Sequence, residues 1–164
     1  MNGVRYAESI KVLPILTPAD IAATATATSY VDLDNANWCS FWVQFGSLTS
    51  DSTDAITITV EASTAGSSNA TEAAIAFSYR LSAAIDTDTM GAITAATTAG
   101  AAIGATDDNK GVWIDVDPSA VAATEDQQFL RLVITPAATV AACVVGVTAF
   151  IEGRYKGNSI PSST

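Results

Sequence analysis

Residues Trp38-Cys39-Ser40-Phe41-Trp42-Val43-Gln44-Phe45 alternate without a break. Cys39, Phe41, Val43 and Phe45 fall on one side, and Trp38, Ser40, Trp42 and Gln44 on the other. Successive side chains of a strand point to opposite faces. A period of two in an aromatic and β-branched run therefore specifies a β-strand. The first side is wholly apolar and reads as a core face. The second side sets two tryptophans among polar residues, which makes it a candidate either for contact with something else or for cover by a second layer of the same subunit, such as the N-terminal arm. Such a strand is expected at the centre of a β-sandwich.

The rest of the chain supplies partners of the same kind. Ala22 to Leu33 reads as a body strand, followed by a turn at Asp34-Asn35-Ala36-Asn37, where Asn and Asp bond their own backbone. Ala55 to Ser63 points Ile56, Ile58 and Val60 inward and pairs with the tryptophan strand as a hairpin. Ile75 to Ser82 sets Phe77, Tyr79 and Leu81 opposite Ser78, Arg80 and Ser82. Met90 to Thr106 reads as two short strands around Thr98-Ala99-Gly100, or as a loop that orders on contact. Lys110 to Val116 sets Val112, Ile114 and Val116 against Trp113 and Asp115. Ser119 to Asp126 has room for one helical turn capped by Ser119. Gln128 to Thr135 and Val140 to Glu152 close the set, the last being apolar on both faces as an interior strand is. Turn signals every eight to twelve residues and no long helical pattern give an all-β, antiparallel sandwich or jelly-roll-like domain of 8–9 strands.

The 164 residues fit one domain over 21–153. Residues 1–20 read as an N-terminal arm or edge strand, because Pro14 and Pro18 interrupt a short apolar run. Residues 154–164 read as a C-terminal tail. Charge is unevenly placed. Outside residues 12–153 the ends hold Arg5, Lys11, Arg154 and Lys156 against the single acid Glu8, whereas residues 12–153 are strongly acidic within a net charge of −10. Basic ends on an acidic body suit contact with something acidic, which places Arg154, Tyr155 and Lys156 beside Trp38, Trp42 and Trp113 as interface candidates. The acidity argues against nucleic acid as a direct partner and against an anionic membrane surface. No start has the pattern of a secretory leader and no apolar run reaches a membrane span, so the chain is expected to be made and kept in the cytoplasm, or assembled there into something larger.

Reactive chemistry is sparse. Without histidine there is no Ser-His-Asp or Cys-His nucleophile. Cys39 and Cys143 lack zinc-finger spacing and sit at apolar strand positions, as buried thiols or, alternatively, a disulfide across the sandwich. The pairs Asp32/Asp34, Asp86/Asp88 and Asp115/Asp117 lie at strand ends, where calcium ligation and glycosidase chemistry compete with ordinary turn chemistry. Asn69-Ala70-Thr71 is read as loop. No cofactor or metal and no enzymatic activity are expected.

Several stretches together resemble a family. They are Tyr30-Val31-Asp32-Leu33 after its Ala-Thr run, Ile75-Ala-Phe-Ser-Tyr-Arg-Leu-Ser82 with Asp88-Thr-Met-Gly91, Asp108-Asn-Lys110 leading to Ile114-Asp-Val-Asp-Pro118, and Phe129-Leu-Arg-Leu-Val-Ile-Thr135 with the closing strand to Tyr155. Residues 22–155 are similar in this way to small structural proteins of tailed bacteriophages encoded beside the major capsid protein, several of which are head decoration, or cement, proteins. The resemblance implies a β-sandwich subunit, usually a homotrimer, bound to the major capsid protein on the capsid exterior and bracing the shell. It carries over no site residues. Tail-tube and fibre-base proteins share the same bias, and a carbohydrate-binding sandwich using the tryptophans is the reading from another class.

Overall fold

The computed structural model describes residues 10–22, 24–50, 55–67, 71–84, 87–122 and 127–153. Within them the chain forms two antiparallel sheets packed face to face, an all-β sandwich. Its strands are β1 (Ile10–Asp20), β2 (Thr26–Ala27), β3 (Val31–Asp32), β4 (Ala36–Ser50), β5 (Ile56–Ser63), β6 (Glu72–Ile75), β7 (Phe77–Leu81), β8 (Thr94–Ala96), β9 (Ala101–Ile103), β10 (Gly111–Val116), β11 (Phe129–Pro136) and β12 (Val140–Gly153). The first sheet runs β1-β12-β4-β10-β7-β8. The second runs β2-β11-β5-β6, with β3 also on β11 and β9 also on β5.

The tryptophan strand is interior, as its two-faced pattern requires. β4 is held on one side by β12, from Ser50–Val140 to Ala36–Gly153, and on the other by β10, from Gln44–Gly111 to Cys39–Val116. Cys39, Phe41, Val43 and Phe45 are buried, with Val112, Ile114 and Val116 of β10 and Val145, Val147, Ala149 and Ile151 of β12 on the same side. Opposite them lie Ile56, Ile58 and Val60 of β5 and Leu130, Leu132 and Ile134 of β11, all at most 1% exposed. Each such side chain contributes about 1.5–3 kcal/mol of transfer free energy, so this layer is the main cohesive term.

Twelve short or long segments replace the expected 8–9 strands because the chain changes sheets in mid-run. The stretch read as one strand over Ile75–Ser82 breaks at Ala76: β6 pairs with β5 in one sheet and β7 with β10 in the other. The two short strands around Gly100 are present, yet β8 belongs to β7 and β9 to β5, so the turn between them is a corner of the sandwich. The hairpin expected between the tryptophan strand and Ala55–Ser63 does not form. Both edges of β4 are taken by β12 and β10, and β5 pairs instead with β11, β6 and β9. The long strand expected over Ala22–Leu33 is also broken. The Leu132 N–H donates to Thr28 Oγ1 (3.0 Å), so a side chain stands in for a ladder position, and the Ser29 N–H donates to the Ile15 carbonyl (3.0 Å) of the other sheet. The helical turn is Pro118–Ala122, and Asp117 rather than Ser119 caps it, its Oδ1 accepting the Ser119 N–H at 2.9 Å.

Of the segment read as an arm over 1–20, Ile10–Asp20 is an edge strand on β12, with register shifts between Pro14 and Leu16 and between Leu16 and Ala19. Asp20 ties its end down: Oδ1 accepts the N–H of Ala22 and of Cys143, both at 3.0 Å. Cys39 and Cys143 are buried free thiols. Cys39 pairs with Ile151 and Cys143 with Leu48, nine residues apart along β4. That is about 30 Å at a strand's rise per residue, so no disulfide joins them. Burial pushes the Cys39 thiol far up, and burial with the Asp20 charge pushes Cys143 to about 11.

Gly100 turns the corner with φ +93°, and a Cβ there would lie 2.5 Å from the Ile58 carbonyl oxygen. Gly100→Ala is expected to lose about 1–3 kcal/mol of stability, read as a lower urea midpoint with an unchanged slope. Acid should weaken the Asp20 tie at the end of β1. The Ala22 and then the Cys143 N–H hold the Asp20 carboxyl below the usual range. The folded state thus favours the ionised form, and this stabilisation is present at neutral pH and lost as pH falls through the carboxylate range. Asp20→Asn should flatten the acid limb of a stability-versus-pH curve.

Candidate functional site

The outward side of the first sheet is an aromatic surface. Trp42 of β4 stands directly opposite Trp113 of β10 and Thr148 of β12, while Ser40 stands opposite Asp115 and Phe150. The ring centroids of Trp42 and Trp113 are 6.0 Å apart, and those of Trp113 and Phe150 are 5.2 Å apart, both pairs tilted. Such offset pairs are favourable beyond the area they bury. Trp42 and Trp113 are half-buried; Trp38 is 39% exposed and Val12, on the same side at the β1 edge, is 46% exposed. No other layer of described residues packs over this side.

Backbone shape lets the layer lie flat. Gly111 leaves the space that the Trp42 ring fills: a Cβ there would be 2.0 Å from Trp42 Cη2. The polar edges of the indoles are then satisfied within the sheet. Asp115 Oδ1 accepts the Trp113 Nε1–H (2.9 Å), the Ser40 hydroxyl (2.6 Å) and the Trp38 Nε1–H (3.4 Å), and the Trp38 indole N–H also donates to Ser40 Oγ at 3.0 Å. Trp42 Nε1–H donates to Gln44 Oε1 at 3.2 Å. One carboxylate thus fixes two indoles and a hydroxyl, presenting their apolar surface outward with their donors already occupied.

The opposite outer surface, on the second sheet, is built differently. Arg131 bonds Glu61 (2.8 Å) and Glu72 (2.7 Å), and its guanidinium lies 5.0 Å from the Tyr30 ring centroid. The Tyr30 hydroxyl donates to Glu72. Burial, which disfavours the cation, is outweighed by the Glu61 hydrogen bond and charge, so the Arg131 pKa rises. This is a polar clamp across β11, β5 and β6.

No family model and no curated protein sequence matches the chain. A solved structure of infectious bursal disease virus, Gt strain, is similar to it with 11% of residues identical and a TM-score of 0.22. That match covers 94% of this chain, which spans 43% of the length of the viral chain. An overlap so loose carries no argument for fold or role.

Of the residues singled out in the sequence, Trp38, Trp42 and Trp113 are brought together on one surface. Arg154, Tyr155 and Lys156 lie outside the described residues, beyond Gly153, where β12 ends beside the Trp38 end of β4. The N-terminal strand does not cover the tryptophans; it extends their sheet by one strand. Nothing in the sequence marks Phe150, because an interior strand apolar on both faces gives no sign of which side is outward. The carboxylate pairs separate in role. Asp115 anchors the indoles and Asp117 caps the helix. Asp32 Oδ1 accepts the Asp34 N–H at 2.8 Å and the Gln128 side-chain amide at 2.7 Å. Asp86 lies outside the described residues. Among the described residues no group of three or more His, Cys, Asp or Glu side chains could hold a metal ion, and no helix is long and apolar enough to cross a membrane.

Asp115→Ala would leave two indole N–H groups and the Ser40 hydroxyl without their shared acceptor. We expect a loss of about 1–3 kcal/mol and altered near-ultraviolet circular dichroism from the tryptophans. Asp115→Asn, which keeps an acceptor oxygen, should fall between the wild type and Asp115→Ala on both measures.

Proposed function

We propose that the protein is a structural subunit of a virion, a decoration protein that docks on the capsid exterior through the aromatic side of its first sheet and stabilises the shell. The observation that carries this reading is the ordered indole layer of Trp38, Trp42 and Trp113 with Phe150, its donors consumed by Asp115 and Gln44 and its rings turned outward. Aromatic side chains held rigid before binding lose little freedom on docking and dominate protein interfaces. The resemblance of residues 22–155 to phage head proteins supports the choice of a capsid as partner, and the acidic body suits a position away from packaged DNA. The role is one of adhesion rather than catalysis. Many copies on one shell convert modest contacts into durable attachment, and a homotrimer would multiply them again.

The test compares shells carrying wild-type protein with shells carrying Trp38→Ala, a substitution at the rim of the layer. Wild-type protein is expected to raise the temperature at which DNA is released. Trp38→Ala is expected to bind roughly tenfold or more weakly, the effect of losing about 1.4 kcal/mol at an interface anchor. Shells that bind both proteins equally, or that release DNA at one temperature with and without them, would count against the reading.

A further inference from the structure

Beside Trp113, on the side away from Phe150, a groove of about 310 Å³ is lined by Arg80, Met90, Trp113 and Asp115. Its size is at the lower end of small-molecule sites, which span about 300–1,000 Å³. Arg80 lies across from Trp113 in the β7–β10 ladder, and Met90 reaches the groove because its backbone bridges to Ser82.

The charge of Arg80 sets this groove apart. Acids far outnumber cations in the chain, so a cation here finds a carboxylate with ease. Among the described residues Lys110 pairs with Asp107, Arg131 pairs with Glu61 and Glu72, and Lys11 is held in the field of Asp32. The side chain of Arg80 alone among those cations has no ion pair or hydrogen bond to a described residue. The carboxylate that lines the same groove is turned to the indoles: Asp115 Oδ1 takes three donors, while Oδ2 takes none from the described residues.

We propose that this groove is a binding site for an acidic sugar, a pyranose bearing a carboxylate. Arg80 offers a planar, two-pronged donor that fits a carboxylate. The vacant Asp115 Oδ2 accepts a hydroxyl, and Trp113 and Met90 supply an apolar wall for the C–H side of a ring. The combination selects the ligand class. An acidic peptide side chain satisfies Arg80 but brings its charge against Asp115 with no hydroxyl to offer. A neutral sugar satisfies Asp115 and leaves Arg80 without an anion. A ligand with one carboxylate and neighbouring hydroxyls satisfies both. The site lies on the β7 side of Trp113 and shares Trp113 and Asp115 with the aromatic layer, while Arg80 and Met90 belong to the groove and not to that layer.

The test titrates the full-length protein with methyl glucuronide, methyl glucoside and a blocked Gly-Glu-Gly peptide at constant ionic strength, following NMR shifts of the Arg80 Nε–H and Trp113 Nε1–H. Methyl glucuronide is expected to saturate both signals and to bind about tenfold or more tightly than the other two, the weight of a charge-assisted hydrogen bond. Arg80→Gln should bring the glucuronide down to the level of the glucoside while leaving the circular dichroism unchanged. Equal binding of glucuronide and glucoside, equal or tighter binding of the peptide, or no saturable shift at either signal would overturn the proposal. Loss of sugar binding in Arg80→Gln with retained shell stabilisation would separate this site from the docking surface.

Discussion

Everything in this molecule depends on β4 being interior to its sheet. With β12 on one side and β10 on the other, its register is fixed from both edges. A slip of one residue would send Phe41 and Phe45 to the outside and Trp38 and Trp42 into the core. The two sides of β4 are thus one constraint seen twice. Burial of the odd-numbered side chains pays for the outward position of the tryptophans, and the ladder to β10 is what brings Trp113 and Asp115 to them.

The rest of the fold serves to close that layer. β5 and β11 cover the inward side of β4, and the remaining short strands are corners and edges around them. The corners are where the chain leaves one sheet for the other, at Ala76 and at Gly100, and they cost local regularity. At the edge carrying β1, Pro14, Pro18 and two register shifts leave a poor template for further strand pairing. The outer surfaces have divided roles: the second sheet closes its charges on themselves around Arg131, and the first sheet keeps its aromatic surface and Arg80 open.

The sequence spoke clearly where parity ran unbroken. β4, β5, β10, β11 and β12 all fall within a few residues of their expected positions, and the outward placing of Trp38, Trp42 and Trp113 follows from the same alternation. It was silent where the chain changes sheets. Ile75 to Ser82 keeps its alternation straight through the break at Ala76, so periodicity reports one strand while pairing makes two. Ala22 to Leu33 alternates as well, yet Thr28 spends its hydroxyl on the Leu132 N–H and the strand ends there. Partner choice was likewise beyond local pattern: nothing in residues 55–63 says that their neighbours are β11 and β6 rather than β4. The groove at Arg80 was hidden for the same reason. Arg80 and Trp113 are 33 positions apart and meet only through the β7–β10 ladder, and that Arg80 pairs with no acid among the described residues can be seen only once the other described cations have been given their partners.

The central claim is that the aromatic side of the first sheet is the contact surface. Oxidative footprinting read by mass spectrometry tests it directly, comparing tryptophan labelling in the isolated subunit with labelling in the assembled particle. The account predicts that Trp38, the most exposed of the three, is labelled when free and protected on assembly, while exposed Ile93, at the far edge beside β8, keeps its labelling. Equal labelling of Trp38 in both states, with protection at Ile93 instead, would contradict it.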